Sequence, residues 1–222
     1  DRYLAELPSD DGDEIGLVLS PMSSTTSAVR SKETSFANFT ADALRNSFGA
    51  DITHVALVNG GGIRGDSRYD AGYRMKKSDV RREFPFPNGL SLAKISGQVL
   101  YDTLECGLAR AELKLGSFPH LSSGCHVVYS MSRPAGQRIE LFELNGKPLD
   151  LNAEYTIATP TYLLNGGDGY EVMKDHTIIE HPLNGTTIGE VVLSYIEKTR
   201  VIDAKKEGRV YLDVKKGSAW EF

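Results

Sequence analysis

Cysteine is scarce: Cys106 and Cys125 are the two in a chain of 222 residues. One bridge or two free thiols both remain open, and neither fixes a redox compartment. The five histidines, His54, His120, His126, His176 and His181, form no His-x-x-x-His, Asp-x-His or Asn-His-Asp/Glu grouping, and there is no Cys-x-x-Cys. A zinc or dimetal centre needs several convergent ligands, so none is expected in this chain. His120 and His126 read as ordinary surface or core residues. Gly-x-Ser-x-Gly and the P-loop are missing too, and Gly60-Gly61-Gly62 lacks the spacing of the dinucleotide fingerprint. No run approaches 18 apolar residues, so no transmembrane helix is expected. Basic charge is short: 25 Lys+Arg against 30 Asp+Glu give a net charge of −5. That balance argues against a nucleic-acid partner, which would want a basic stripe. Asp1-Arg2-Tyr3 shows neither a signal-peptide pattern nor an initiating methionine, as a mature or trimmed fragment would.

What is present is ordinary globular material, 40% hydrophobic and 25% charged, enough for one domain with a sizeable core. Strands are predicted at 15–19, 53–58, 90–95, 125–129, 138–144, 155–159 and 210–214. Phe36, Phe39, Ala43, Leu44 and Phe48 recur at helical spacing, predicting a helix over 34–48 with Thr34 or Ser35 as its cap. Ser96 caps a second helix carrying Val99, Leu100, Thr103, Leu104 and Leu108 on one face. Thr187-Ile-Gly-Glu190 is a capping box opening a third helix to about residue 198. Residues 77–82 read as one helical turn, Phe84-Pro-Phe-Pro-Asn-Gly89 as extended chain, and Asn145-Gly146 as a hairpin. The expected class is α+β, a single mixed-sheet domain with flanking helices. Its lead-in and first strand occupy 1–29, the domain 30–214 and a tail 215–222. Two glycosylation sequons occur, Asn38-Phe-Thr40 inside the predicted helix, a poor acceptor, and Asn184-Gly-Thr186, usable in a secreted protein.

Two glycine-rich stretches stand out: Asn59-Gly-Gly-Gly-Ile-Arg64 and Tyr162-Leu-Leu-Asn-Gly-Gly-Asp-Gly-Tyr170. Each follows a predicted strand, the place for a loop where backbone comes close to a ligand. Together with Phe84-Pro85-Phe86 they hold what a nucleotide needs. Phe86 and Tyr162 offer aromatic faces for a base. Asp168 is an acceptor for two hydroxyls, Asn59 an amide, and Arg64 a planar cation suited to phosphate. Read singly, the glycines make turns, Phe86 belongs to a core and Asp168 closes a turn; Arg64-Gly65-Asp66 also spells the integrin tripeptide.

In sequence order the chain carries Glu33-Thr-Ser-Phe-Ala-Asn38 with Ala41-Asp42-Ala43, Asn59 to Arg64, Phe84-Pro85-Phe86, and Ile95-Ser-Gly97 with Leu104-Glu105. Gly116-Ser-Phe118, Gly136-Gln-Arg138 and Asn165-Gly-Gly-Asp-Gly-Tyr170 follow. In these motifs, over about residues 30–211, it resembles the C-terminal, substrate-binding domain of the 5′-nucleotidase family, dimetal phosphoesterases that hydrolyse nucleotides. His126-Val-Val-Tyr129, Val201-Ile202 and Glu207-Gly-Arg209 are similar to the animal ecto-enzyme branch. The resemblance implies that Phe86 and Tyr162 sandwich the base, the latter where the family commonly has phenylalanine. It further implies that Asn59 contacts the base, Asp168 the ribose hydroxyls, and Arg30 and Arg64 the ribose–phosphate end. The disulfides of the ecto-enzyme branch have no evident counterparts in Cys106 and Cys125. Two divalent metals of zinc or manganese type and an Asn-His dyad belong, in the family, to a separate N-terminal metallophosphoesterase domain, in cis or as a cleaved chain. None of it is here, so this chain is expected to bind an AMP- or adenosine-type ligand without hydrolysing it. A stand-alone nucleotide-binding module is the alternative. An extracellular, secreted or periplasmic location is implied by the family.

Overall fold

A computed structural model describes residues 13–180 and 186–213. Residues 1–12 of the expected lead-in, Val214, the tail and Asn184 of the second sequon lie outside the described residues. β1 (Glu14–Val18) and β2 (Met22–Ser23) lead to a single turn, α1 (Thr26–Val29). α2 (Ser35–Ser47) starts where Thr34 Oγ1 accepts the Ala37 N–H at 3.2 Å. β3 (Val55–Asn59) breaks into a 3-10 turn over Gly60–Gly62. β4 (Arg68–Tyr69), β5 (Arg74–Lys76) and α3 (Lys77–Glu83) precede β6 (Leu90–Ser96). Ser96 Oγ then accepts the Val99 N–H at 3.2 Å and opens α4 (Gly97–Leu108). β7 (Pro119–Leu121), β8 (Cys125–Tyr129), β9 (Ile139–Leu144), β10 (Lys147–Pro148) and β11 (Glu154–Pro160) follow. The chain continues through α5 (Thr161–Leu164), β12 (Thr177–Glu180), α6 (Ile188–Thr199), β13 (Val201–Ile202) and β14 (Val210–Leu212). Thr187 and Glu190 close the predicted capping box at α6.

The expected α+β mixed sheet is the five-stranded order β12-β6-β11-β3-β7, with β11 and β3 parallel and the other pairs antiparallel. Both of its faces are covered, which is why β3 is buried at all five positions rather than alternating. Ala56 and Val58 face α2 and α6; Val55 and Leu57 face α4 and a second sheet, β10-β9-β8-β14. Leu90 and Leu92 against Ala93 and Ile95 divide β6 the same way, as the period of two requires. β9 and β10 form the Asn-Gly hairpin, with Asn145 and Gly146 at φ 53° and 73°. The expected first strand, β1, pairs in a small sheet, β13-β1-β5, and β2 pairs with β4; β2, β4, β5 and β13 were not expected, being strands of two or three residues, too short to show a period.

Buried carboxylates staple distant segments. Glu33 accepts the N–H groups of Glu207, Gly208 and Arg209 at 2.9, 3.0 and 3.2 Å, and the Asn38 amide at 2.7 Å. Asn38, the first sequon's asparagine, is therefore buried within α2. Arg209, 4% exposed, makes two N–H bonds to Asp42 at 2.9 and 2.7 Å. Glu105 accepts the N–H groups of Arg138 and Ile139 at 2.9 and 2.7 Å. Cys106 and Cys125 are both free, and no described helix is long and apolar enough to cross a membrane.

Candidate functional site

The neighbouring parallel strands β3 and β11 finish on the same edge of the sheet, and each runs on into a glycine-rich loop. Ligands of open α/β sheets gather at such carboxyl ends. The first loop is pinned by main chain: Gly60 N–H donates to Phe118 O and Gly61 N–H to Gly116 O, both at 2.8 Å. The proline-interrupted stretch is tied from behind. Asn88 O accepts the Ile188 N–H and Gly89 O the Thr161 N–H, both at 2.9 Å.

These loops enclose a cleft of about 440 Å³. Arg30, Asn59, Arg64, Phe86, Tyr162 and Asp168 all line it. They come from four separate segments: the residue after α1, the end of β3 with its loop, the chain after α3, and the α5 loop. Phe86 is 44% and Tyr162 46% exposed, so neither ring is core. Asp168 stands at φ 54°, a strained position for a residue with a Cβ. Its Oδ2 accepts the Asn59 amide at 2.6 Å and its Oδ1 the Tyr162 hydroxyl at 3.1 Å. The Asp168 N–H in turn donates to the Tyr162 oxygen at 3.1 Å. The Tyr162 ring lies against Gly167, where an added Cβ would stand 2.3 Å from it. One ring face is thereby closed.

The Arg64 guanidinium carbon lies 5.0 Å from the centre of the Phe86 ring, within range of a cation–π attraction. Arg30 carries a buried Nε with no partner. The cleft thus combines two guanidinium groups, an oriented carboxylate and two part-exposed rings. A flat ring, a diol and an anion would each find a partner there.

Two contributors escaped sequence reading. Gly116 lines the cleft and its carbonyl accepts the Asn59 amide at 3.2 Å; its only signal was its place in a family motif. Glu83 lies beneath the first loop and gave no signal. Asp66, the acid of the integrin tripeptide, is occupied within the chain, accepting the Thr26 N–H at 2.7 Å. Among the described residues no group of three or more His, Cys, Asp or Glu could hold a metal ion.

A family profile described as the 5′-nucleotidase C-terminal domain matches residues 14–175. A 5′-nucleotidase of Mus musculus is 27% identical over 215 residues, covering 89% of this chain and 36% of the mouse protein. A snake venom 5′-nucleotidase of Macrovipera lebetinus is 30% identical over 218 residues, covering 90% of this chain and 52% of the relative. Among solved structures, a 5′-nucleotidase precursor from Thermus thermophilus superimposes with a TM-score of 0.83 at 28% identity, over 91% of this chain and 40% of the other. The chain therefore spans between about a third and a half of these proteins.

Proposed function

The chain belongs to the 5′-nucleotidase C-terminal domain family, and we propose that it is the nucleotide-recognition half of a phosphoesterase that hydrolyses nucleoside 5′-phosphates. The observation that carries this reading is the meeting of Arg30, Asn59, Arg64, Phe86, Tyr162 and Asp168 in one cleft. In this reading Phe86 and the open face of Tyr162 hold the base, and Asp168 takes the ribose hydroxyls with Asn59 bracing it. Arg30 and Arg64 meet the ribose–phosphate end. An N-terminal metallophosphoesterase domain, in cis or cleaved, supplies two divalent metals and the hydrolytic step. The binding unit spans 30–214, between the lead-in at 1–29 and the tail at 215–222. Secreted or extracellular work, in nucleotide breakdown, fits relatives such as the venom 5′-nucleotidase.

Affinity of this half alone is modest. Two stacked faces at ~1–3 kcal/mol each are largely offset by an association cost of at least ~4 kcal/mol. Ribose hydrogen bonds add ~0.5–1.5 kcal/mol apiece, which leaves a dissociation constant on the order of millimolar to high micromolar. The test is an NMR titration of AMP and adenosine into the chain, with the Phe86→Ala/Tyr162→Ala variant beside it and phosphate release assayed in Mn²⁺ or Zn²⁺. Saturable shifts lost in the variant, without turnover, are expected. Wild-type protein that shows no shift at millimolar AMP rules the reading out.

A further inference from the structure

Glu83 is the last residue of α3 and is completely buried. An isolated carboxylate in such a place is costly, so its oxygens must be fully engaged. They are. Oε1 accepts the hydroxyls of Ser24 and Tyr69, both at 2.6 Å, and Oε2 accepts the Gly65 N–H at 3.0 Å. Its main-chain carbonyl accepts the Arg64 N–H at 2.9 Å. Residues 64 and 65 are therefore gripped by one residue, through backbone and side chain together. Gly65 permits this closeness, because a Cβ there would stand 2.2 Å from the carboxylate. Three residues after Glu83 comes Phe86, the ring beside which the Arg64 guanidinium lies. Burial holds the Glu83 pKa above the usual carboxylate range, and the surrounding donors and Arg82 offset only part of that rise. Arg64 lines the cleft, whereas Glu83 does not.

We propose that Glu83 is the positioning residue that fixes Arg64 beside Phe86, and thereby sets how strongly the cleft prefers a phosphorylated nucleoside to the bare nucleoside. The inference rests on the reading of the cleft given above, in which Arg64 meets the phosphate end. It makes no claim that Glu83 touches the ligand.

The measurement is the ratio of AMP to adenosine affinity, by NMR or calorimetric titration, in the full chain and in Arg64→Ala, Glu83→Ala, Glu83→Asp, Glu83→Gln and Arg64→Ala/Glu83→Ala. Losing one charge-assisted phosphate contact should lower the ratio roughly tenfold in Arg64→Ala. Glu83→Ala should lower it to a similar extent with adenosine affinity unchanged. Glu83→Gln keeps an oxygen that can accept the Gly65 N–H and should restore most of the ratio. The double variant should fall no further than Arg64→Ala alone. A folded Glu83→Ala protein with the wild-type ratio, or losses that add in the double variant, would overturn the proposal. Should Glu83→Ala fail to fold, Glu83→Asp decides: it keeps the charge but withdraws it from Gly65, and a wild-type ratio there is equally fatal. An unchanged ratio in Arg64→Ala removes the phosphate role of Arg64 and the proposal with it, and does so in a different variant.

Discussion

Replacing Tyr162 by phenylalanine removes one oxygen and leaves the ring against Gly167. That oxygen now makes two 3.1 Å bonds, donating to Asp168 Oδ1 and accepting the Asp168 N–H. With Tyr162 46% exposed, water can replace both, so the variant should lose less than about 1 kcal/mol of stability. Ligand selection should suffer more. Asp168 is braced on two sides, by Asn59 at Oδ2 and Tyr162 at Oδ1, and stands in a backbone region that favours relaxation. Unbraced, the carboxylate turns, and hydrogen bonds from ribose hydroxyls weaken. A bond to a charged acceptor is worth roughly 1.5–3 kcal/mol. Losing about 1 kcal/mol of that is about a fivefold loss of affinity. The assay compares AMP with 2′-deoxy-AMP in wild type and Tyr162→Phe. The preference for AMP should drop about fivefold, while 2′-deoxy-AMP changes less than about twofold because the stacking face survives. Equal losses for both ligands, or none for either, would refute the bracing role.

Three further outcomes test the packing around the site. Arg209→Leu strips Asp42 of its two guanidinium bonds, takes a donor from the Leu121 carbonyl and a second donor from that of Asn38; urea melts should show a loss of about 3–5 kcal/mol, and a loss below about 1 kcal/mol would contradict the staple. His120 is buried with Nε2 2.7 Å from Val29 O, and burial lowers its pKa from 6.5 to about 4. The unfolded chain therefore takes up the proton first, stability falls as pH drops through the window between 6.5 and about 4, and His120→Gln should flatten that slope in melts at pH 7 and 5. Burial pushes the Cys125 thiol up to about 12; a thiol reagent at neutral pH should leave it unmodified in the native chain and label it once denaturant is added.

The long elements were legible because their signals are local. α2, α4 and α6 each show a cap of the right type and an apolar stripe, and the Asn-Gly pair announces its hairpin. The short strands were not, since a two-residue pairing such as β2 with β4 is decided by neighbours distant in sequence. Both glycine stretches were legible as loops at strand ends. Their convergence was not, because it depends on which strands pair. Glu83 illustrates a deeper limit. A glutamate following Arg81 and Arg82 reads as surface charge, and only the approach of Ser24, Gly65 and Tyr69 makes it a buried post. The family motifs divide likewise. Asn59 and Asp168 line the cleft, whereas Glu33, Asp42 and Glu105 serve as staples away from it. A motif marks a residue whose identity matters; its surroundings say for what.

The parallel pairing of β3 with β11 has a consequence for how the site comes into being. Asn59 and Asp168, whose bond is part of the cleft floor, are separated by 109 positions. Closing so long a loop carries an entropy cost that is recovered only when the intervening sheets have docked, which makes such contacts slow to form. During synthesis the first glycine loop must wait for the second to leave the ribosome. A ligand that grips both loops is thus blind to partly folded chains: its binding counts only molecules whose central sheet is complete.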